Sequence, residues 1–278
     1  MNRKLVTALA TPYANGRIDL NGYVKLLNYQ IKNGADALLA VGTTAEGQLL
    51  NSCEKKLLIR AAKKLTENKK IPIYAGIEEF CTAKAVKEAV RAQEYGADAL
   101  LIAPPTFCKC TAVGYVKHIE SILDAVSVPL ILYNVPSRAG YELDLAALTE
   151  LKNKAAYIKD AGANAVFTKT AAKNYTVFCG NDELLSEQLS YGAKGVISVV
   201  SNAAPKLTKR VLSGEKDDIF VKLAKLSMRE VNPIAIKYIL YKKGLFKSCE
   251  MRLPLTKANA ETIKAVDGFF EEYGAEIE

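Results

Sequence analysis

Ala155-Ala156-Tyr157-Ile158-Lys159-Asp160-Ala161 reads as a short apolar strand with a lysine set near its C-terminal end. Burial disfavours an ammonium group, so a lysine in such a strand either snorkels to the surface or is kept for chemistry. Strand-like apolar runs of the same kind recur at Lys4–Ala10, Ala37–Val41, Ile71–Ala75, Ala99–Ala103, Pro129–Tyr133, Tyr175–Cys179 and Gly195–Val200. Between them lie amphipathic helical stretches at Tyr23–Lys32, Glu54–Leu65, Thr82–Tyr95, Val113–Val126, Leu145–Lys152, Phe167–Ala172 and Leu184–Tyr191. Strands that are hydrophobic throughout and alternate with helices indicate a parallel sheet covered on both faces.

Eight such units, with helix-ending glycines at Gly34, Gly96 and Gly192, predict a closed α/β barrel of eight parallel strands, the TIM barrel. A doubly wound sheet would prefer a Gly-rich phosphate loop after its first strand, where this chain has Thr11-Pro12-Tyr13. Helical periodicity continues through Lys206–Leu212, Ile219–Ser227, Ile234–Tyr241 and Ala258–Tyr273. Residues 1–220 are therefore expected to form the barrel and residues 221–278 a small C-terminal helical region.

Composition narrows the function classes. With 50% hydrophobic and 24% charged residues, the 278-residue chain is globular rather than disordered. The net charge of +8 comes from lysines scattered singly, such as Lys25, Lys55, Lys63, Lys87 and Lys117. No basic block is interleaved with aromatics, which argues against nucleic-acid binding. The six cysteines lack metal-ligand spacing, Cys108-Lys109-Cys110 being the one close pair. With no signal-peptide pattern, reduced thiols in a cytoplasm are expected. No apolar run approaches the roughly 20 residues of a membrane helix. The single histidine, His118, falls in a helical pattern with Val116, Ile119 and Ile122, a structural placement that removes histidine triads.

A parallel barrel carries its active site at the C-terminal ends of its strands. Polar residues collect there: Gly42-Thr43-Thr44-Ala45-Glu46-Gly47 after strand two, Tyr133-Asn134-Val135-Pro136-Ser137-Arg138 at strand five, Gly180-Asn181-Asp182 after strand seven and Ile197-Ser198 in strand eight. A lysine in an apolar pocket is pushed toward the free amine, which can attack a carbonyl. The resulting imine is an electron sink for making or breaking carbon–carbon bonds. Tyr133 could shuttle protons, Thr43 or Thr44 could relay them, and Arg138 could hold a carboxylate. Pattern alone leaves this reading level with a structural lysine paired to Asp160 or Asp182.

Four stretches, taken together, resemble the dihydrodipicolinate synthase and N-acetylneuraminate lyase family of pyruvate-dependent class I aldolases. They are Gly42-Thr43-Thr44-Ala45-Glu46, Tyr133 through Gly140, Ile158-Lys159-Asp160-Ala161 and Lys194-Gly195-Val196-Ile197-Ser198. Asn232-Pro233-Ile234 and Arg252-Leu253-Pro254-Leu255 also look like family landmarks, so the resemblance runs from about Leu5 to Leu255. It implies a cofactor-free, cytoplasmic lyase of lysine and diaminopimelate biosynthesis that condenses pyruvate with L-aspartate semialdehyde. The resemblance further implies a homo-oligomer, dimer or tetramer, with no nucleic-acid or membrane partner. Lys159 would form the Schiff base, Tyr133 shuttle protons, and Thr43 link it to a relay while Thr44 holds the pyruvate carboxylate. Arg138 would organise the second substrate, its planar fork suiting a carboxylate, and it favours the synthase branch over the lyase branch. Gly180 and Ile197 would line the imine pocket with backbone.

The chain also departs from the family pattern. Ala45 replaces a glycine, and Asp160-Ala161-Gly162-Ala163 stands for the usual Glu-Ala-Thr-Gly. The loop after strand four usually offers two tyrosines, the second reaching a neighbouring subunit's relay, whereas here it is Thr106-Phe107. Phe107 has no hydroxyl to pass a proton, which predicts weak activity or a relay completed by water or another group. Phe107→Tyr is then expected to raise the condensation rate. Gly47, Ser52, Phe80, Lys84 and Thr106 stand where lysine-inhibited members bind their effector, and Lys84 reverses the sign of the acidic partner, so lysine inhibition is expected to be absent. The alternatives are an aldolase of a sugar acid or other 2-keto acid, and a catalytically silent binding protein that keeps the pocket.

Overall fold

The structure, a computed structural model, describes residues 3–277. Its strands are β1 (Lys4–Ala8), β2 (Tyr13–Ala14), β3 (Arg17–Ile18), β4 (Ala37–Ala40), β5 (Ile73–Ile77), β6 (Ala99–Ile102), β7 (Leu130–Asn134), β8 (Tyr157–Asp160), β9 (Thr176–Cys179) and β10 (Gly195–Ser198). Eight of them close into a barrel in the order β1-β10-β9-β8-β7-β6-β5-β4, all pairs parallel. The predicted eight-stranded α/β barrel is thus the observed one. The remaining pair, β2 and β3, is a small antiparallel hairpin turned by Asn15-Gly16, both at positive φ, as a tight hairpin turn requires.

Alternation along each strand builds two cores. Val6, Ala37, Leu39, Ala99, Leu101, Ile131, Phe178 and Ile197 point inward and fill the barrel. Their neighbours Leu5, Leu38, Leu100, Leu130, Ile158, Val177 and Val196 point outward and bury the helices. This is the filled interior expected of a closed parallel barrel. Lys159 follows the inward register: it lies beside Tyr133 of β7 on one side and Phe178 of β9 on the other.

After the barrel come helices at Pro205–Ser213, Asp218–Ser227, Ile234–Lys242 and Ala260–Tyr273. Ile236, Ile239 and Leu240 join the same outer core as the barrel helices. The helical appendix is therefore packed on the barrel by its apolar face, and it brings Asn232, Lys237 and Arg252 to the catalytic end. Among the described residues no helix is long and apolar enough to cross a membrane.

Candidate active site

Lys159 sits near the C-terminal end of β8 and is only 6% exposed. Its Nζ lies 4.4 Å from the centroid of the Tyr133 ring, a favourable place for a cation. Among the described residues it forms no salt bridge. Both candidate structural partners are engaged elsewhere. Asp160 accepts from Asn134 Nδ2 at 2.9 Å, Gly162 N at 3.0 Å and Thr168 Oγ1 at 2.6 Å. Asp182 accepts from the backbone N–H groups of Val199 and Val200 at 2.8 and 3.1 Å. Burial pushes both carboxyls above their ordinary range, against the pull of those hydrogen bonds.

A cavity opens over the lysine, lined by Thr43, Thr44, Tyr133, Ser137, Arg138 and Gly180 among others. The approach is close: a Cβ at Gly180 would lie 3.0 Å from both Cγ and Cε of Lys159, so a side chain there would press on the lysine stem. Ile197 is wholly buried in the barrel interior and is not among the residues lining this cavity. Phe107 is outside it too. Its side chain is 99% exposed and its backbone has φ 62°, uncommon for a non-glycine residue.

The threonines are held by a strained turn. Val41 and Glu46, on either side of Gly42-Thr43-Thr44-Ala45, have φ 49° and 56°, and such outliers collect where a site over-determines its backbone. Residues distant in sequence clamp this turn. Asn232 Nδ2 donates to Thr44 Oγ1 at 3.0 Å, and its carbonyl accepts from Arg138 Nη2 at 3.2 Å. Glu46 Oε1 accepts from Lys237 Nζ at 2.6 Å with both side chains wholly buried, and its Oε2 accepts from the Arg252 backbone N–H at 3.2 Å. Arg252 in turn forks onto Glu54 at 2.8 and 2.5 Å. The two C-terminal landmark motifs therefore act at the threonine turn.

One member of the site escapes the sequence reading. Glu78 is the first residue past β5, and the Thr43 hydroxyl donates to its Oε1. The signal was present, since a polar residue ending a barrel strand is the rule that found the others. The strand, however, runs two residues beyond the predicted Ile71–Ala75. Among the described residues no cluster of His, Cys, Asp or Glu is arranged to hold a metal ion.

Comparison with known proteins shows the family. A sequence model of the dihydrodipicolinate synthetase family matches residues 1–272. The 4-hydroxy-tetrahydrodipicolinate synthase of Rickettsia bellii is 35% identical over 95% of this chain and 94% of its own length. The crystal structure of a dihydrodipicolinate synthase from Thermotoga maritima superposes with TM-score 0.92 at 31% identity, covering 99% of each chain. A monomeric dihydrodipicolinate synthase variant superposes with TM-score 0.91 at 31% identity, over 98% of this chain and 97% of that one.

Proposed function

We propose that this chain, which belongs to the dihydrodipicolinate synthetase family, is a Schiff-base lyase condensing pyruvate with L-aspartate semialdehyde. The observation that carries the reading is a buried lysine without a carboxylate partner among the described residues, opening on a cavity of hydroxyls and one guanidinium. The Lys159 amine adds to the keto carbon of pyruvate, and water leaves as the C=N bond forms. Loss of a methyl proton then gives an enamine, whose carbon attacks the aldehyde of the second substrate. Tyr133, against the amine, moves protons at this nitrogen and oxygen. Thr44, fixed by Asn232, binds the pyruvate carboxylate, and Arg138, fixed by the Asn232 carbonyl, takes the carboxylate of the semialdehyde.

Phe107 and Phe80, 99% and 49% exposed on one rim, support a homo-oligomer joined through that face, in a cytoplasmic enzyme that lysine does not inhibit. The relatives' names favour the synthase over the sugar-acid aldolase. A steady-state assay separates the two. Product from pyruvate and aspartate semialdehyde, with no cleavage of N-acetylneuraminate, is expected, and the reverse pattern would overturn the assignment.

A further inference from the structure

Imine chemistry moves protons in and out of the pocket, and a threonine hydroxyl passes one on only if a second group replaces it. Thr43 Oγ1 gives its hydrogen to Oε1 of Glu78. The carboxyl is placed for this by close packing: β5 approaches the threonine turn so tightly that a Cβ at Gly76 would lie 2.6 Å from Gly42 Cα. Its other oxygen, Oε2, is shielded from solvent and has no hydrogen-bond partner among the described residues. An unpartnered buried carboxyl oxygen is costly and marks a group poised to gain or exchange a proton.

Glu78 stands between two depressions. The inner one is shared with Thr43, Arg138 and Asn232, and these three also line the Lys159 cavity. The outer one is shared with Thr106 and Phe107, where Phe107 offers no hydroxyl. The charged groups facing Glu78 are Lys159 from β8, Arg138 after β7 and Lys55 from the helix Ser52–Thr66. Lys55 is paired with Glu88, and Glu46, which lines the inner depression, is committed to Lys237. Burial raises the Glu78 carboxyl above its ordinary value despite the Thr43 hydrogen bond and these cations.

We propose that Glu78 is the proton-exchanging terminus of a relay running through the Thr43 hydroxyl to the Lys159 cavity, so that the site is completed by a carboxyl of its own chain. The proposal rests on the Schiff-base reading above. In the forward step the Thr43 hydroxyl turns from Glu78 to the carbinolamine oxygen and passes it a hydrogen, while protonated Glu78 gives its proton to Thr43 Oγ1. The C–O bond breaks with its electron pair on the departing water. The nitrogen lone pair forms the C=N bond, leaving an iminium and a Glu78 carboxylate. In the next step a methyl proton of the iminium returns through Thr43 to Glu78, giving the neutral enamine and restoring the acid. Protons and charge balance over the two steps, with no further reactant. Glu78 touches neither substrate, and so acts as a positioning and relay residue.

The test follows exchange of the pyruvate methyl protons with D2O by NMR, without any second substrate, in wild type, Glu78→Gln and Glu78→Asp. Glutamine keeps an acceptor for Thr43 but cannot exchange a proton. Glu78→Gln is expected to slow exchange about 100-fold and to abolish the acidic limb of its pH profile. Glu78→Asp is expected to retain that limb and part of the rate. Exchange at the wild-type rate in Glu78→Gln would overturn the relay, as would equal losses in both variants with an unchanged pH profile. Borohydride trapping of pyruvate on wild-type Lys159 is run alongside. No adduct there would mean that the Schiff-base reading itself fails, whereas an adduct with normal exchange in Glu78→Gln sinks the relay alone.

Discussion

Lys159 and Lys237 are two lysines in nearly the same predicament. Each is buried, at 6% and 0% exposure, and each holds its Nζ over a tyrosine ring, 4.4 Å from Tyr133 and 4.3 Å from Tyr13. They differ in one partner. Lys237 lies 2.6 Å from a carboxylate oxygen of Glu46, while Lys159 has no such partner among the described residues and faces a cavity instead. Burial lowers Lys237 toward the neutral amine and Glu46 pulls it back. A paired, enclosed ammonium fastens the appendix helix to the threonine turn. An amine with a carbonyl-sized space before it is available for bonding. Burial alone does not make a lysine reactive; what faces it decides.

The contrast can be broken most sharply at Lys159. Lys159→Ala should remove all measurable condensation yet leave the melting temperature as high as wild type or higher, because no ion pair is lost; a large fall in stability would make this lysine structural. Lys237→Met should do the opposite. It strands a buried Glu46 carboxylate and should cost about 3–5 kcal/mol in denaturant unfolding, while the folded fraction still binds pyruvate covalently. Glu46→Gln in the same chain should recover part of that loss, and a fully stable Lys237→Met would void the comparison.

Asn232→Ala should have a smaller effect, freeing Thr44 while the backbone carbonyl that holds Arg138 stays in place. One hydrogen bond is worth about 1 kcal/mol net, or roughly a five-fold rise in KM for pyruvate with little change in kcat. An unchanged KM would detach the appendix from the site. The subtlest effect concerns Glu78 and pH. Its raised carboxyl binds a proton more tightly folded than unfolded, which favours folding below the ordinary value of 4.5 and is lost as pH rises through the folded value. Glutamine does not titrate, so the melting temperature of Glu78→Gln should gain on wild type as pH climbs from about 4 to neutrality. A gap independent of pH would count against a strained carboxyl.

The barrel was legible because its strands are apolar on both faces and its helices end at glycines. Boundaries were less so, and one mattered. The predicted third barrel strand ends at Ala75, before Gly76, a poor strand residue. In the folded chain Gly76 is needed for the approach to Gly42, and β5 continues to Ile77, so Glu78 went unnoticed at a strand end. Lys159 is expected near the C-terminal end of its apolar strand, and β8 carries it there, paired beside Tyr133 and Phe178. The hairpin at Asn15-Gly16 was hidden by its two-residue strands. Lys237 could not be read at all: within an apolar helical stretch it looks like a surface lysine, and its partner Glu46 is 191 residues away.

The most direct measurement is to incubate the protein with pyruvate, reduce with borohydride and locate the adduct by peptide mass spectrometry. The difference between the two buried lysines predicts a single modification on Lys159 with Lys237 untouched. An unmodified Lys159, or an adduct on Lys237, would contradict it.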